Sequence, residues 1–158
     1  MRRSDREITD VSEMVEILSR CDVMRLAFRD GEYPYILPLN FGMEEGEKTV
    51  FYFHGAAEGY KYTLIGREGK ASFEADCSHR LVLDGQKGAC TMEYESVIGR
   101  GRVSEVTERE EKLRALRLIM KHYGREEFSF REEVAERTRV FRLEVDGMTG
   151  KRRIKRES

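Results

Sequence analysis

The sequence predicts a mainly β protein of the α+β class, a small antiparallel β-barrel of six strands with peripheral helices. Six segments alternate like strands or are rich in β-branched and aromatic residues, and short polar turns separate several of them. Other segments carry apolar residues at helical spacing. A chain of 158 residues fits one domain. So many strands in one domain are typical of a closed barrel.

The first part of the chain predicts one helix and three strands. Asp10 followed by Glu13 reads as a capping box, and apolar residues at helical spacing extend it to a helix at 11–20. The three strands are expected at 23–29, 35–42 and 49–54. The short turns between these strands indicate an antiparallel meander. Pro38 lies inside the second strand and, because it cannot donate to a neighbour, predicts an edge position or a bulge.

The second part alternates between helices and strands. The expected elements are a short helix at 58–66, a strand at 70–76, a polar loop at 77–87, a long β segment at 89–106, a helix at 108–123, a short charged helix at 131–137 and a last strand at 138–147. Thr107 and Glu110 predict a second capping box before the long helix. Gly99 and Gly101 predict a bend or bulge within the long β segment.

Composition narrows the classes of function. The formal net charge of −1 provides no global attraction to nucleic acid. We expect a single domain at 1–150 and a solvated basic tail at 151–158, where no aromatic residues are interleaved to stack on bases. No apolar run is long enough to cross a membrane, and the N-terminus lacks the apolar region of a secretory signal. Three widely spaced cysteines indicate no disulfide framework and no metal site, and favour the reducing cytoplasm.

Candidate chemistry is concentrated in residues 34–61. Serine-hydrolase, phosphate-binding-loop and zinc-protease motifs are missing from the sequence. Asn40 offers a donor and an acceptor suited to the imide edge of a heterocycle. Small residues from Gly55 to Gly59 let backbone N–H groups approach a phosphate, and Lys61 adds a positive charge at the start of the following helix. The same residues also fit an ordinary turn with a solvated lysine, so the sequence pattern leaves both interpretations open.

A resemblance to a known family extends over nearly the whole chain. The segments that carry it are "MRRSDREI", "GEYPYILPLNFG", "VFYFHGAAEGYK", "ASFEAD", "YESVIGRGRV" and "VDGMTGKR", in this order. Together they resemble the FMN-binding split-barrel flavoproteins. Within these, the chain is similar to the pyridoxamine 5'-phosphate oxidase-like branch that contains the nitroimidazole-resistance, or nitroimidazole reductase, proteins.

The resemblance implies a six-stranded split β-barrel that forms a homodimer with two FMN molecules at the subunit interface. It also implies a set of cofactor-binding residues: Pro38, Leu39 and Asn40 along the ring edge, Phe53, His54 and Gly55 beside the ring and its ribityl-phosphate chain, Lys61 at the phosphate, and Tyr94 and Ser96 near the cofactor. The candidate catalytic residue is His54, which could bind the cofactor or donate a proton to a reduced substrate.

The implied function is that of an FMN-dependent oxidoreductase that reduces small electrophiles such as nitro-aromatics. A reduced nicotinamide or another electron donor would bind transiently. The chain has no tryptophan, whereas the oxidases of vitamin B6 carry an arginine–tryptophan substrate set, so we do not expect vitamin B6 oxidation. Many nitroimidazole-branch members have serine at the position of Gly55, so the chain lacks one hydroxyl in its phosphate site. The alternative is a non-catalytic flavin- or haem-binding protein, a sensor or a carrier.

Overall fold

The computed structural model describes residues 4–154 and contains eight strands, four α-helices and a short 3-10 helix (Ser4–Arg6) in that range. The elements are β1 (Glu7–Ile8), α1 (Val11–Ser19), β2 (Met24–Asp30), β3 (Tyr33–Leu39), β4 (Phe41–Glu44), β5 (Val50–Gly55), α2 (Tyr60–Glu68), β6 (Lys70–Asp84), β7 (Ala89–Glu105), α3 (Arg109–His122), α4 (Glu132–Arg137) and β8 (Arg139–Arg153). The predicted α+β class with a mainly antiparallel sheet and peripheral helices is confirmed.

The strands form one sheet in the order β3-β2-β6-β7-β8-β5-β4, and β1 pairs with β8. The two ends of this order, β3 and β4, are joined by the single residue Asn40. Since two residues span at most about 7 Å, the sheet must curl until its first and last strands meet. In the described chain no ladder of hydrogen bonds joins β3 to β4, so the sheet is not closed, contrary to the closed barrel that the number of strands predicts, but is split along this seam.

The predicted number of six strands is wrong, because the described residues form eight. The segment expected as one strand at 35–42 divides at Asn40 into β3 and β4, and the short β1 precedes the first predicted helix. The two antiparallel pairings of the predicted three-stranded meander are confirmed, since β2 pairs with β3 and β4 pairs with β5. These two pairs do not lie side by side, because they form opposite ends of the strand order and β5 pairs on with β8. The lengths of the turns do not predict this change of partner strand, since the chain passes from β3 to β4 at Asn40 without a loop.

The β6–β7 hairpin is longer than the sequence predicts. β6 continues to Asp84 through the segment expected as a loop, with a register shift between Cys77 and Arg80. The segment beyond Cys77 is polar because it is exposed, and its backbone is regular. In this part of the hairpin, among the described residues, β6 and β7 pair only with each other. The predicted irregularity in β7 is confirmed by a shift between Arg100 and Gly101. β8 extends to Arg153, three residues into the predicted tail, and residues 155–158 of that tail lie outside the described range.

The main core lies inside the curled sheet and under α1. The fully buried residues of β2 alternate as expected, with Met24, Leu26 and Phe28 facing inwards. The Asp10 cap is confirmed, since its Oδ1 accepts from the Glu13 N–H at 3.0 Å. The cap expected at Thr107 is wrong, because α3 begins after Glu108 without a side-chain cap.

A second cluster packs α3 and α4 against the outer side of β5 and β8, and includes Tyr52, Leu116, Ile119 and Val140. This cover explains why Tyr52 is buried although it alternates with the core residues of β5. Among residues 4–154, no helix has the length and apolar character needed to cross a bilayer.

Candidate functional site

The candidate site lies where β5 ends and α2 begins. Gly55 ends β5, and Gly59 precedes α2 with φ of +153°, a backbone conformation that favours glycine. A Cβ at Gly55 would lie 2.8 Å from Cε of Lys61, and a Cβ at Gly59 would lie 3.3 Å from its Nζ. The two glycines therefore leave the space in which the Lys61 side chain folds back over the loop. We call Gly55, Gly59, Lys61, Tyr62 and Arg139 the Lys61 cradle.

Tyr62 and Arg139 fix the shape of this loop. The Tyr62 hydroxyl donates to the Ala56 carbonyl at 2.9 Å, and Nη1 of Arg139 donates to the Ala57 carbonyl at 3.2 Å. The Arg139 guanidinium also lies 3.6 Å from the centre of the Tyr62 ring, a cation–π contact. Two loop carbonyls are thus held by side chains from α2 and β8.

The cradle contains an ammonium group that lies 4.5 Å from the centre of the Tyr62 ring and has no carboxylate partner in the part of the chain that the structure describes. Arg139 is neutralised by Glu105, which its Nε reaches at 2.7 Å. Lys61 has no ion pair with a carboxylate of the described chain, and burial, followed by the charge of Arg139, lowers its pKa. The first turn of α2 has no side-chain cap, so its N–H groups and the positive end of its dipole face the same loop. An ammonium group, a helix N-terminus and a backbone without side chains match the needs of a phosphate group.

His54 precedes Gly55 on β5 and is exposed. Although the residue is exposed overall, neighbouring protein atoms take part of its imidazole out of water, and this partial desolvation, followed by the charge of Lys61, lowers the pKa of His54 from its ordinary 6.5. The imidazole is therefore neutral at pH 7 and carries one donor and one acceptor nitrogen. Phe41 pairs with Phe53 on β5, so the preceding Asn40 lies at the same end of this ladder as His54.

Asn40 holds the seam of the barrel. Its Nδ2 donates to the Tyr123 hydroxyl at 3.0 Å, and the Phe41 N–H donates to the same oxygen at 3.3 Å. The Tyr123 hydroxyl in turn donates to the Asp22 carbonyl at 2.7 Å. The structure thus gives the Asn40 amide a structural partner in addition to the predicted role at a ring edge.

The other predicted residues fall into three environments. Pro38 and Leu39 lie at the end of β3, which is an edge strand as the proline predicts. The Phe53 side chain is fully buried and stacks on Phe141 with ring centres 5.2 Å apart, so only its backbone can face a ligand. Tyr94 and Ser96 are half-buried on β7.

Ser96 pairs with Lys151 of β8, whereas His54 pairs with Val140 of the same strand. These positions are eleven residues apart, about 36 Å along an extended strand at about 3.3 Å per residue. Tyr94 and Ser96 are therefore separated along β8 from His54 and the Lys61 cradle.

A groove of about 710 Å³ lies on the outer face of the sheet. Its walls include Arg25, Ala27, Ile36, Glu74, Ile98 and Thr149. Pro38 pairs with Arg25, and Ser96 precedes Ile98 by two residues, so both share this face. Ile36 and Ile98 are 59% and 52% exposed, and Arg25 is held by Glu74 at 3.0 Å and Asp76 at 2.7 Å. An exposed apolar groove with a charged border suits a planar ring or another protein surface.

The curled, split sheet with helices at its periphery places the protein in the split-barrel class. A model of the pyridoxamine 5'-phosphate oxidase family matches residues 10–152, and the chain belongs to this family. The resemblance noted in the sequence is thereby confirmed.

Solved structures support the same assignment. One is a protein of Bacteroides thetaiotaomicron that is described as a candidate 5-nitroimidazole antibiotic resistance protein. It is 32% identical in sequence to this chain and has a TM-score of 0.80. The match covers 92% of this chain and 85% of that protein. The flavocytochrome Anf3 of Azotobacter vinelandii has the same TM-score at 17% identity, over 98% of this chain and 72% of its own. An FAD- and haem-binding protein of Mycobacterium smegmatis has a TM-score of 0.77 at 12% identity, and the match covers 93% of this chain and 73% of that protein. No curated protein sequence matches the chain.

Two residues of the cradle, Tyr62 and Arg139, were not predicted. Tyr62 follows Lys61 and could have been suspected as part of the same helical turn. Arg139 is 84 residues beyond Gly55, and the pairing of these two residues across β5 and β8 brings them together. No local pattern indicates this pairing.

Proposed function

We propose that the protein binds FMN, with the cofactor phosphate at the Lys61 cradle. The single observation that carries this proposal is the ammonium group of Lys61, which has no carboxylate partner among residues 4–154 and lies against a backbone that Gly55 and Gly59 leave bare. A phosphate dianion there would gain a full charge, the α2 dipole and backbone donors together. Membership of the family supports the same cofactor.

We propose further that the working form is a homodimer. Tyr94 and Ser96 lie at the opposite end of β8 from His54, so one chain does not gather all the predicted residues around one ligand. A second copy seated on the outer face of the sheet would bring its Tyr94 and Ser96 towards the cradle of the first. The exposed Ile36 and Ile98 give that face apolar area to bury.

The reaction we propose is reduction of a small electrophile such as a nitro-aromatic compound. Bound FMN supplies the transfer of electrons. The chain contributes Lys61 to balance the charge of the phosphate and a neutral His54 to orient the ligand or pass a proton. The relative at 32% identity, described as a candidate 5-nitroimidazole resistance protein, supports this class of substrate. The lack of tryptophan argues against vitamin B6 oxidation. The electron donor, such as a reduced nicotinamide, would act transiently, and we place the activity in the cytoplasm.

The experiment that tests the cofactor is the absorption spectrum of the purified protein, followed by release and identification of what it binds. We expect a flavin spectrum, release of FMN, and a mass in solution of two chains. A protein that stays colourless after titration with FMN contradicts the proposal. If FMN binds, loss of nitro absorbance on addition of reduced nicotinamide tests the reaction separately from the binding.

A second candidate is a haem- or flavin-binding protein without an enzymatic role. The observation that favours it is the neutral, exposed imidazole of His54, which has a free nitrogen lone pair available to iron. A Soret band in place of the flavin spectrum would favour haem. A bound flavin without turnover with any donor would favour a sensor or carrier.

A further inference from the structure

Two thiols meet where α1 ends against β6. Cys21 follows α1, and Cys77 lies on β6 at the register shift before Arg80. The Sγ atoms of both cysteines donate to the same Ile17 carbonyl, at 3.3 Å from Cys21 and 3.8 Å from Cys77. Both sulfur atoms therefore converge on the last turn of α1, although they are far apart in the sequence.

The two thiols differ in exposure. Cys21 is 1% exposed and packs in the main core, whereas Cys77 is half-buried at its border. Burial, and next the neighbouring Cys77, raise the pKa of Cys21, so this group stays a protonated thiol. A small oxidant in solution can thus reach Cys77 before Cys21.

Polar groups surround the sulfur of Cys77. The Ser78 hydroxyl donates to it at 3.5 Å. The same hydroxyl donates to Glu95 at 2.8 Å, and the Arg20 guanidinium reaches this carboxylate at 2.7 Å. The nucleophile in thiol oxidation is the thiolate form of a cysteine, and of these two thiols Cys77 is the one that solvent reaches. Ser78 has φ of +59°, and the bulge at this point aims the Cys77 side chain towards α1.

We propose that Cys77 and Cys21 form a reversible redox pair that a hydroperoxide converts to a disulfide. The Cys77 thiolate attacks the outer oxygen of the hydroperoxide, the O–O bond breaks, and the products are a Cys77 sulfenic acid and, after protonation, an alcohol or water. The Cys21 thiol then attacks the Cys77 sulfur and gives up its proton, and the sulfenic hydroxyl leaves as water. The two sulfur atoms lose two electrons, which the hydroperoxide gains. A dithiol reductant returns both thiols by exchange.

The cross-link would join the end of α1 to the barrel wall and enclose residues 21–77, which include His54 and Lys61. This inference does not depend on FMN binding, since its residues lie outside the Lys61 cradle. The disulfide would be a redox-sensitive cross-link at the two ends of the segment that contains the candidate site.

The test treats the folded protein with hydrogen peroxide, quenches it, and titrates thiols after denaturation without reductant. We expect the count to fall from three to one per chain and to return to three with dithiothreitol. Peptide mapping should find Cys21 linked to Cys77. The Cys90→Ser variant, which changes an exposed thiol on the β6–β7 hairpin, should form the same cross-link.

Single variants separate the two steps. In Cys21→Ala, a sulfenic-acid probe should label Cys77, and in Cys77→Ala, Cys21 should stay reduced under the same treatment. The inference is overturned if all three wild-type thiols survive the peroxide, if Cys77 is overoxidised while Cys21 stays free, or if Cys90 is the linked partner. Because the wild-type map decides these outcomes, the inference stays testable even if Cys21→Ala folds poorly.

Discussion

Gly55 lies directly against the side chain of Lys61. A Cβ at position 55 would come within 2.8 Å of Cε and 2.9 Å of Nζ of this lysine, and within 2.8 Å of the Tyr62 hydroxyl. Because Gly55 has no side chain, the ammonium group of Lys61 can lie against the backbone at this position. A serine here, which the resemblance implies for many relatives, would place its Cβ in the space that Lys61 and Tyr62 occupy.

Gly55→Ala should weaken FMN binding about tenfold, which is about 1.4 kcal/mol. The new methyl group displaces the end of the Lys61 side chain, which is flexible, so the fold should persist. Titration with FMN followed by fluorescence measures the affinity. The matched control is Gly66→Ala within α2, where a Cβ meets nothing within 4 Å and alanine should stabilise the helix by about 0.5–1 kcal/mol. Equal FMN affinities in the two variants would show that Gly55 does not shape the site.

Lys61→Met should weaken FMN binding by about 10- to 100-fold, because a charge-assisted contact to the phosphate is lost while the side chain keeps its length. The loss should be larger at low salt than at high salt, since ions screen the interaction. Isothermal titration at two salt concentrations measures both. Lys70→Met, at an exposed position on β6, is the control and should bind FMN as the wild type does. A loss of the same size for both lysines would point to a general charge effect.

His54→Gln should make the protein less sensitive to acid. Because burial and then Lys61 lower the pKa of His54, the unfolded chain binds a proton here at a higher pH than the folded chain. In the pH range from about 6.5, the pKa of histidine in the unfolded chain, down to the lowered pKa in the folded chain, the free energy of unfolding of the wild type should fall as the pH falls. Urea denaturation from pH 7.5 to 5 should show a smaller decrease for His54→Gln.

Lys61→Met gives an independent measure of the same coupling. Without the neighbouring charge, the pKa of His54 should rise towards 6.5, and an NMR titration of the imidazole protons follows it directly. A pKa of His54 that does not change in this variant would mean that burial alone lowers it.

Tyr123→Phe should lower the free energy of unfolding by about 1–2 kcal/mol. The change removes one hydroxyl that binds the Asp22 carbonyl, the Asn40 amide and the Phe41 N–H at the seam of the barrel. Urea denaturation measures the loss, and faster hydrogen exchange of the Phe41 amide should locate it. Tyr33→Phe is the control, because Tyr33 is 75% exposed. A stability equal to that of the control would show that water replaces the hydroxyl at no loss.

Much of the fold could be predicted because its elements have local patterns. The spacing of apolar residues predicts α1 and α3, alternation predicts β2, and the glycines predict the irregularity of β7. The hairpin beyond Cys77 was missed because an exposed two-stranded ribbon has the polar composition of a loop. The split at Asn40 was missed because the strand changes its partner there without changing its composition.

The sequence by itself determined the class of fold, the family and the local part of the candidate site, from Gly55 to Lys61. These depend on residues close together in the chain, where spacing reports on helix, strand and turn directly. Only the tertiary structure decided that Arg139 closes the cradle, that Phe53 belongs to the core, and that Cys21 meets Cys77. The physical reason is that strand pairing and helix docking join distant segments through the burial of whole faces, and no short stretch of sequence records which faces meet.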